Sequence, residues 1–223
     1  MSFCGFLRFP NGQVKMLHAV GDAEWVEGWL RRSVAPRTLW HLTTPLLPIG
    51  EALATPMGTT VPIAGLDADG HFVAVLFDLH PDRPFTQILG DGLGVLQWAE
   101  QLDERQIEAF ARYFWHDTTV SLRAVWEQLY ATALATPLGA ARKVHILSWR
   151  PHGVLSEMQQ FLLRQKLAMW LFRLFVLQGD DGEVIAFAEP VIGAASTGEK
   201  VGPSAQRLGG GEPFLQSLLE QPS

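Results

Sequence analysis

Cysteine is almost missing from this sequence, with Cys4 the only one in 223 residues. A single thiol excludes an intrachain disulfide and a cysteine-based zinc site, and it fits a reducing cytoplasm. Long hydrophobic runs are also missing. The most apolar stretch, residues 167–177, is interrupted by Arg173 and is too short to span a bilayer. The start, Met1-Ser2-Phe3-Cys4-Gly5, lacks the basic and apolar regions of a signal peptide, so a cytoplasmic location without a membrane partner is expected. Cations are in the minority, 17 Lys and Arg against 23 Asp and Glu, for a net charge of −6. That balance disfavours broad non-specific binding to nucleic acid, which needs clustered Lys and Arg, although it is compatible with a local basic groove. What the chain has in quantity is apolar. Its 48% hydrophobic content, with eight Trp and thirteen Phe, argues for a sizeable core in one large domain with small appendages.

Local signals divide the chain into elements. Residues 3–9 and 14–20 flank Pro10-Asn11-Gly12-Gln13, an N-terminal hairpin signal that fills residues 1–21. Asp22 is placed to cap a helix carrying Trp25, Val26, Trp29 and Leu30 on one face, closed by Arg31 and Arg32. Residues 39–57 contain Pro45, Pro48 and Pro56 and read as extended or looped, with Leu46, Leu47 and Ile49 pointing inward. Two apolar runs, 61–66 and 71–79, are joined by Asp67-Ala68-Asp69-Gly70, a good hairpin loop. A polar loop over 81–86 leads to a helix over 88–101, or one starting near Gly92, since Gly90, Gly92 and Gly94 weaken it. Asp103 and Gln106 form a capping box, with Leu102 and Ile107 at the staple positions. Leu122, Val125, Trp126, Leu129 and Tyr130 mark a further helix, ended by Pro137-Leu138-Gly139. Residues 143–149 read as a strand and 155–167 as a helix. Residues 170–177 and 183–187 then pair across Gly179-Asp180-Asp181-Gly182. Residues 193–223 are rich in small residues and are expected to form a flexible tail, with a short helix through Phe214, Leu215, Leu218 and Leu219.

The segment from Val61 to Asp78 resembles the PD-(D/E)XK nuclease superfamily, in the branch of NucS and RecB-like nuclease domains. In that family it reads as an apolar residue, the catalytic Asp, two apolar residues, a Gly-x-Asp-x-Asp-Gly turn, an apolar strand and Glu-x-Lys. The similarity extends over residues 22–192. It implies an α/β domain with a restriction-endonuclease-like central mixed sheet flanked by helices. Asp and Glu on adjacent strands would hold Mg²⁺, which activates water and stabilises charge on the phosphate. Residues i and i+2 of a strand share a face, which places the Lys beside that ion. Here Pro62 stands at the Asp position, Leu76 at the Glu and Asp78 at the Lys, and Asp91 replaces the Gln that often opens the next helix. The resemblance therefore implies a nuclease scaffold without its chemistry, with a binding or regulatory role linked to nucleic-acid metabolism.

Two other readings stay open at this level. One is a divergent Mg²⁺-dependent endonuclease whose carboxylates have migrated to Asp78 and Asp91, with Glu24 or Glu27 from the first helix. The other is a protein-interaction module with no nucleic-acid role. Arg31, Arg32 and Arg37, then Arg142, Lys143 and Arg150, form two basic groups that are the candidate DNA contacts. Trp25, Trp29, Trp98, Trp115, Trp126 and Trp170 belong to the core, with a homodimer face as the alternative. Asp67-Ala68-Asp69-Gly70 is no calcium loop, because aligning Gly70 to the required glycine puts Gly65 and Leu76 at ligand positions. Gly90-Asp91-Gly92-Leu93-Gly94 likewise lacks the spacing of a dinucleotide fingerprint.

Overall fold

A computed structural model describes residues 4–8, 14–80, 82–134, 136–192 and 204–207. Its centre is the hairpin of β4 (Thr60–Leu66) and β5 (Phe72–Asp78), joined in the register Ile63↔Val75 and Leu66↔Phe72. The turn is held by its own side chain, since Asp67 Oδ1 accepts from the backbone N–H groups of Asp69 and His71 at 3.0 and 2.9 Å. Gly70 closes it at φ 73°, in the left-handed region. Successive β5 side chains enter opposite cores: Phe72, Ala74 and Leu76 one, Val73, Val75 and Phe77 the other. Burial on both faces is why this strand reads as an unbroken apolar run.

The other strands extend that hairpin on both sides into a mixed sheet within an α/β fold. β3 (Leu47–Ala54) pairs antiparallel with β4 and forms one edge. This strand lies inside the stretch expected to be extended or looped, where Leu46, Leu47 and Ile49 are indeed fully buried. Its one proline, Pro48, is tolerated because an edge strand need not donate every N–H, and a bulge between Pro48 and Gly50 absorbs the irregularity. After β5 come α2 (Phe85–Glu100), α3 (Glu104–Phe114) and α4 (Leu122–Tyr130), and the chain returns as β6 (Arg142–Ser148), parallel to β5. α5 (His152–Arg164) then crosses to β7 (Met169–Gly179), parallel to β6. β8 (Val184–Pro190) folds back antiparallel along β7.

At the N-terminus β1 (Cys4–Arg8) and β2 (Val14–Ala19) form the expected hairpin, whose turn lies outside the described residues. β2 adds to the far end of β7 through Leu17↔Gly179 and Ala19↔Leu177. α1 (Ala23–Arg32) follows, its first turn capped by Asp22, which accepts from Trp25 N at 3.0 Å. β9 (Ser204–Arg207) pairs with β8 inside the stretch expected to be a flexible tail; the helix expected around Phe214 lies outside the described residues.

The helices cover the two faces unequally. Ile88 and Val95 of α2, Ile107 of α3, Trp126 of α4 and Leu162 of α5 share one core with Phe72, Ala74 and Leu76. Val26 and Leu30 of α1, with Trp40 and Leu42 from the following loop, pack on Val73 and Val75 across the sheet. α2 starts at Phe85, three residues before the expected 88, with Pro84 at the cap position. Its glycines have a use at Gly92, where an added Cβ would lie 2.3 Å from Met169 Cε, so the helix sits close on the sheet. α4 ends early, at Ala131 in a left-handed conformation (φ 51°), rather than at Pro137-Leu138-Gly139. Among the described residues no helix is long and apolar enough to cross a membrane.

Candidate functional site

The carboxyl ends of β5 and β6 bring together the residues that the sequence marks for attention. Parallel pairing sets Asp78 directly opposite Ser148, and Leu76 opposite Ile146. Asp78 shares its strand face with Leu76, so its carboxylate lies on the side covered by α2. That carboxylate is fully buried and saturated. Ser148 Oγ donates to Oδ2 at 2.8 Å, Arg150 Nε donates to the same oxygen at 2.5 Å, and Arg150 Nη2 donates to Oδ1 at 3.0 Å. Arg150 reaches back because the chain turns directly after β6; its own N–H donates to Ser148 Oγ at 3.1 Å.

A second acid–base pair abuts the first. Arg150 Nη2 donates to the carbonyl of Arg83 at 2.5 Å, and its guanidinium lies 5.5 Å from the centre of the Phe85 ring. Arg83 in turn pairs with Asp91 on α2, whose other oxygen accepts from Thr59 Oγ1 at 3.4 Å. The hydrogen bond to Asp78 holds the Arg150 guanidinium above its ordinary pKa. The result is two ion pairs, Asp78–Arg150 and Arg83–Asp91, joined through the Arg83 carbonyl across the gap between the sheet and the start of α2.

This donor set does not fit Mg²⁺. A hard divalent cation needs several free oxygens, yet both oxygens of Asp78 accept from a guanidinium that already supplies the positive charge. Leu76 is buried in the core under α2, and Pro62 is buried on β4, with the β4–β5 register, continued by one residue, setting it opposite Leu76. Glu24 and Glu27 lie on α1, which packs on the opposite face of the sheet, and Glu27 pairs with Arg31 one turn on. The structure therefore brings Asp78 and Asp91 to one place and leaves the two glutamates elsewhere.

The six candidate DNA contacts do not form one surface. Arg31 faces Glu27, and Arg37 pairs with Asp117 at 2.6 Å while lying over Trp115. Hydrogen bonds from Thr119, joined by Arg37, lower Asp117 to a pKa of about 2. Arg142 Nε and Nη2 donate to the carbonyls of Ala99 and Leu102, both at 2.7 Å, and so close the end of α2. Lys143 pairs with Asp67 at 2.7 Å, and Arg150 is committed to Asp78. Arg32 is exposed on α1. Arg142 and Lys143 begin β6, whereas Arg150 follows its end, so the strand separates them.

At the opposite end of β5, Asp67, Asp69 and His71 place ligand-type atoms within 4.8 Å of one another. The Lys143 ammonium already sits against Asp67 Oδ2 there, and Trp126 Nε1 donates to the Asp67 carbonyl at 2.8 Å, so the group reads as a braced turn. None of the eight Trp is among the exposed large hydrophobic side chains, and Trp40 and Trp126 are nearly inaccessible. Arg83 and Ser148 escaped the sequence reading, since neither lies in a motif and only the β5–β6 register makes them neighbours of Asp78. Comparison with protein-family models, curated proteins and solved structures gives no match for this chain.

Proposed function

We propose that this chain is a non-catalytic, restriction-endonuclease-like protein of the PD-(D/E)XK kind that acts by binding rather than by cutting. The observation that carries the reading is the double engagement of Asp78 by Arg150 and Ser148, at the strand position where the resemblance expects a lysine. A helix, a three-stranded antiparallel meander, three helices and a parallel strand, in that order, agree with it. An internal arginine takes the place of the ion and stabilises the sheet–helix junction. The link to nucleic-acid metabolism rests on fold analogy. A second reading, a protein-interaction module with no nucleic-acid role, is favoured by the intramolecular commitment of Arg31, Arg37, Arg142, Lys143 and Arg150.

One set of incubations tests both. Single-stranded, branched and mismatched DNA is held with the protein in Mg²⁺ or Mn²⁺, and binding is followed by fluorescence anisotropy at low salt. The expected result is no cleavage above a buffer control. Metal-dependent cleavage that disappears in a folded Asp78→Ala variant would overturn the non-catalytic reading. Salt-sensitive binding weakened by Arg31→Gln/Arg32→Gln would support the nucleic-acid link; failure to bind any DNA at low salt would leave the interaction module.

A further inference from the structure

The face of the sheet that carries α2 to α5 runs on past those helices. Leu171 of β7 lies in the core beneath them, and Arg173, Phe175 and Leu177 continue its face along the strand. The register adds Phe187 and Ile185 from β8, and Leu17 from β2 opposite Gly179. Phe175 and Phe187 stack with ring centres 4.7 Å apart. The patch is apolar between two charged rims. At one end Lys15 pairs with Asp181 and Glu183, and at the other Arg173 stands opposite Glu189.

Something covers this patch. Leu17, Leu177 and Ile185 are only 3, 8 and 5% exposed, yet they form a cluster apart from the two main cores. Among the described residues Phe187 is the one further apolar side chain packed on that cluster, and no helix contributes to it. Side chains on one sheet face stand side by side and shield one another's flanks, not their tips. Burial to this degree takes a second layer.

The end of the chain has the size and pattern of such a layer. β9 runs along β8 toward the 179–182 turn and ends at Arg207, opposite Ile185. Residues 208–223 follow, outside the described residues, and begin Leu208-Gly209-Gly210-Gly211, a sequence that permits a reversal. At helical spacing Phe214, Leu215, Leu218 and Leu219 share one side, and Gln216, Ser217 and Glu220 the other. Pro213 suits a first turn. A helix over 213–220 would be about 12 Å long, and the patch extends about 13 Å along β7 from Phe175 to Gly179. So short a helix is marginal in water by itself, and burial of its apolar side would stabilise it.

We propose that residues 213–220 form an amphipathic helix that docks on this patch, with Phe214, Leu215, Leu218 and Leu219 against Leu177, Ile185 and the stacked phenylalanines. The docking is independent of the Asp78 junction and of the nuclease kinship.

Paramagnetic relaxation on the full chain tests this. A nitroxide is attached through Ser217→Cys, on the polar side of the proposed helix, in a Cys4→Ser background. The amide signals of Leu177, Ile185 and Phe187 should lose most of their intensity, and those of Leu122–Tyr130 should keep theirs. Adding Leu215→Asp/Leu218→Asp with the nitroxide in place should restore the lost signals. Unchanged β7 and β8 signals overturn the proposal. Equal broadening of a nitroxide-free chain by a separate labelled chain also overturns it, since the occupant is then a second copy. Hydrogen exchange needs no label and decides the case in which the labelled variant does not fold. Leu215→Asp/Leu218→Asp should speed exchange across residues 174–187 by roughly tenfold or more, and leave residues 122–130 unchanged. Equal exchange in variant and wild type refutes the docking.

Discussion

Replacing Arg150 by alanine should destabilise this protein more than replacing its partner. The substitution deletes two hydrogen bonds to Asp78, at 2.5 and 3.0 Å, the bond to the Arg83 carbonyl, and the contact with Phe85. The Asp78 side chain has 0% exposure, so its carboxylate stays buried with Ser148 as its remaining side-chain donor. Stranding a buried charge costs about 3–5 kcal/mol, which for a domain of this length is about 6–20 °C in melting temperature. Asp78→Ala differs in kind. It leaves Arg150, whose side chain is 19% exposed and can turn to water, for a smaller loss of about 1–3 kcal/mol. Removing both charges together, as Asp78→Leu/Arg150→Met, should recover most of the deficit. Urea unfolding followed by tryptophan fluorescence, run in EDTA and in Mg²⁺, gives all four stabilities. An Arg150→Ala loss within about 1 kcal/mol of wild type, the behaviour of a surface pair, would refute the reasoning. So would an Mg²⁺-dependent gain in wild-type stability that Asp78→Ala abolishes, since binding to the native state must raise it.

Other perturbations probe the frame around that junction. His145 is buried against Phe172 and Trp170, with Nδ1 3.2 Å from Thr43 Oγ1, and burial, helped by Lys143, pushes its pKa down to about 3. The unfolded imidazole titrates near its ordinary value of about 6.5, so its contribution is complete above that pH and is lost as pH falls toward 3. Wild type should therefore lose up to about 2 kcal/mol more than His145→Asn between pH 6.5 and 5, at about 1.4 kcal/mol per unit; equal losses in urea midpoints would sink the idea. Asp103→Ala removes the acceptor for Gln106 N at 2.8 Å and should cost about 1 kcal/mol, with Asp103→Ser restoring most of it; a melting curve for Asp103→Ala that overlays wild type would show that the cap is idle. Asp67→Ala orphans the Asp69 and His71 N–H groups and the Lys143 ammonium and should cost about 2–4 kcal/mol. Asp67→Asn should lose less in the same calorimetric scan, because it keeps a backbone acceptor.

The sequence by itself determined the elements whose causes are local. The β4–β5 hairpin follows from four turn residues between two apolar runs, and the start of α3 follows from Asp103 and Gln106, which the structure joins in a reciprocal capping box. It also determined that Pro62 and Leu76 cannot ligate a metal, since that depends on residue type alone. It left the segment of β3 open between extended and looped, because Pro48 and the prolines flanking the strand argue against a strand unless it is known to be an edge. The role of Asp78 was equally out of reach. As a residue it was compatible with a migrated metal ligand, a solvated acid or half of an ion pair. Its partners Ser148 and Arg150 stand 70 and 72 residues away, and only parallel pairing of β5 with β6 places them beside it. Strand register is set by which side chains each face can bury, a property of the whole packed sheet rather than of any segment. The split in the sheet after Arg173 has the same origin: β6 pairs with β7 only as far as Arg173, and β2 joins that edge only from Leu177.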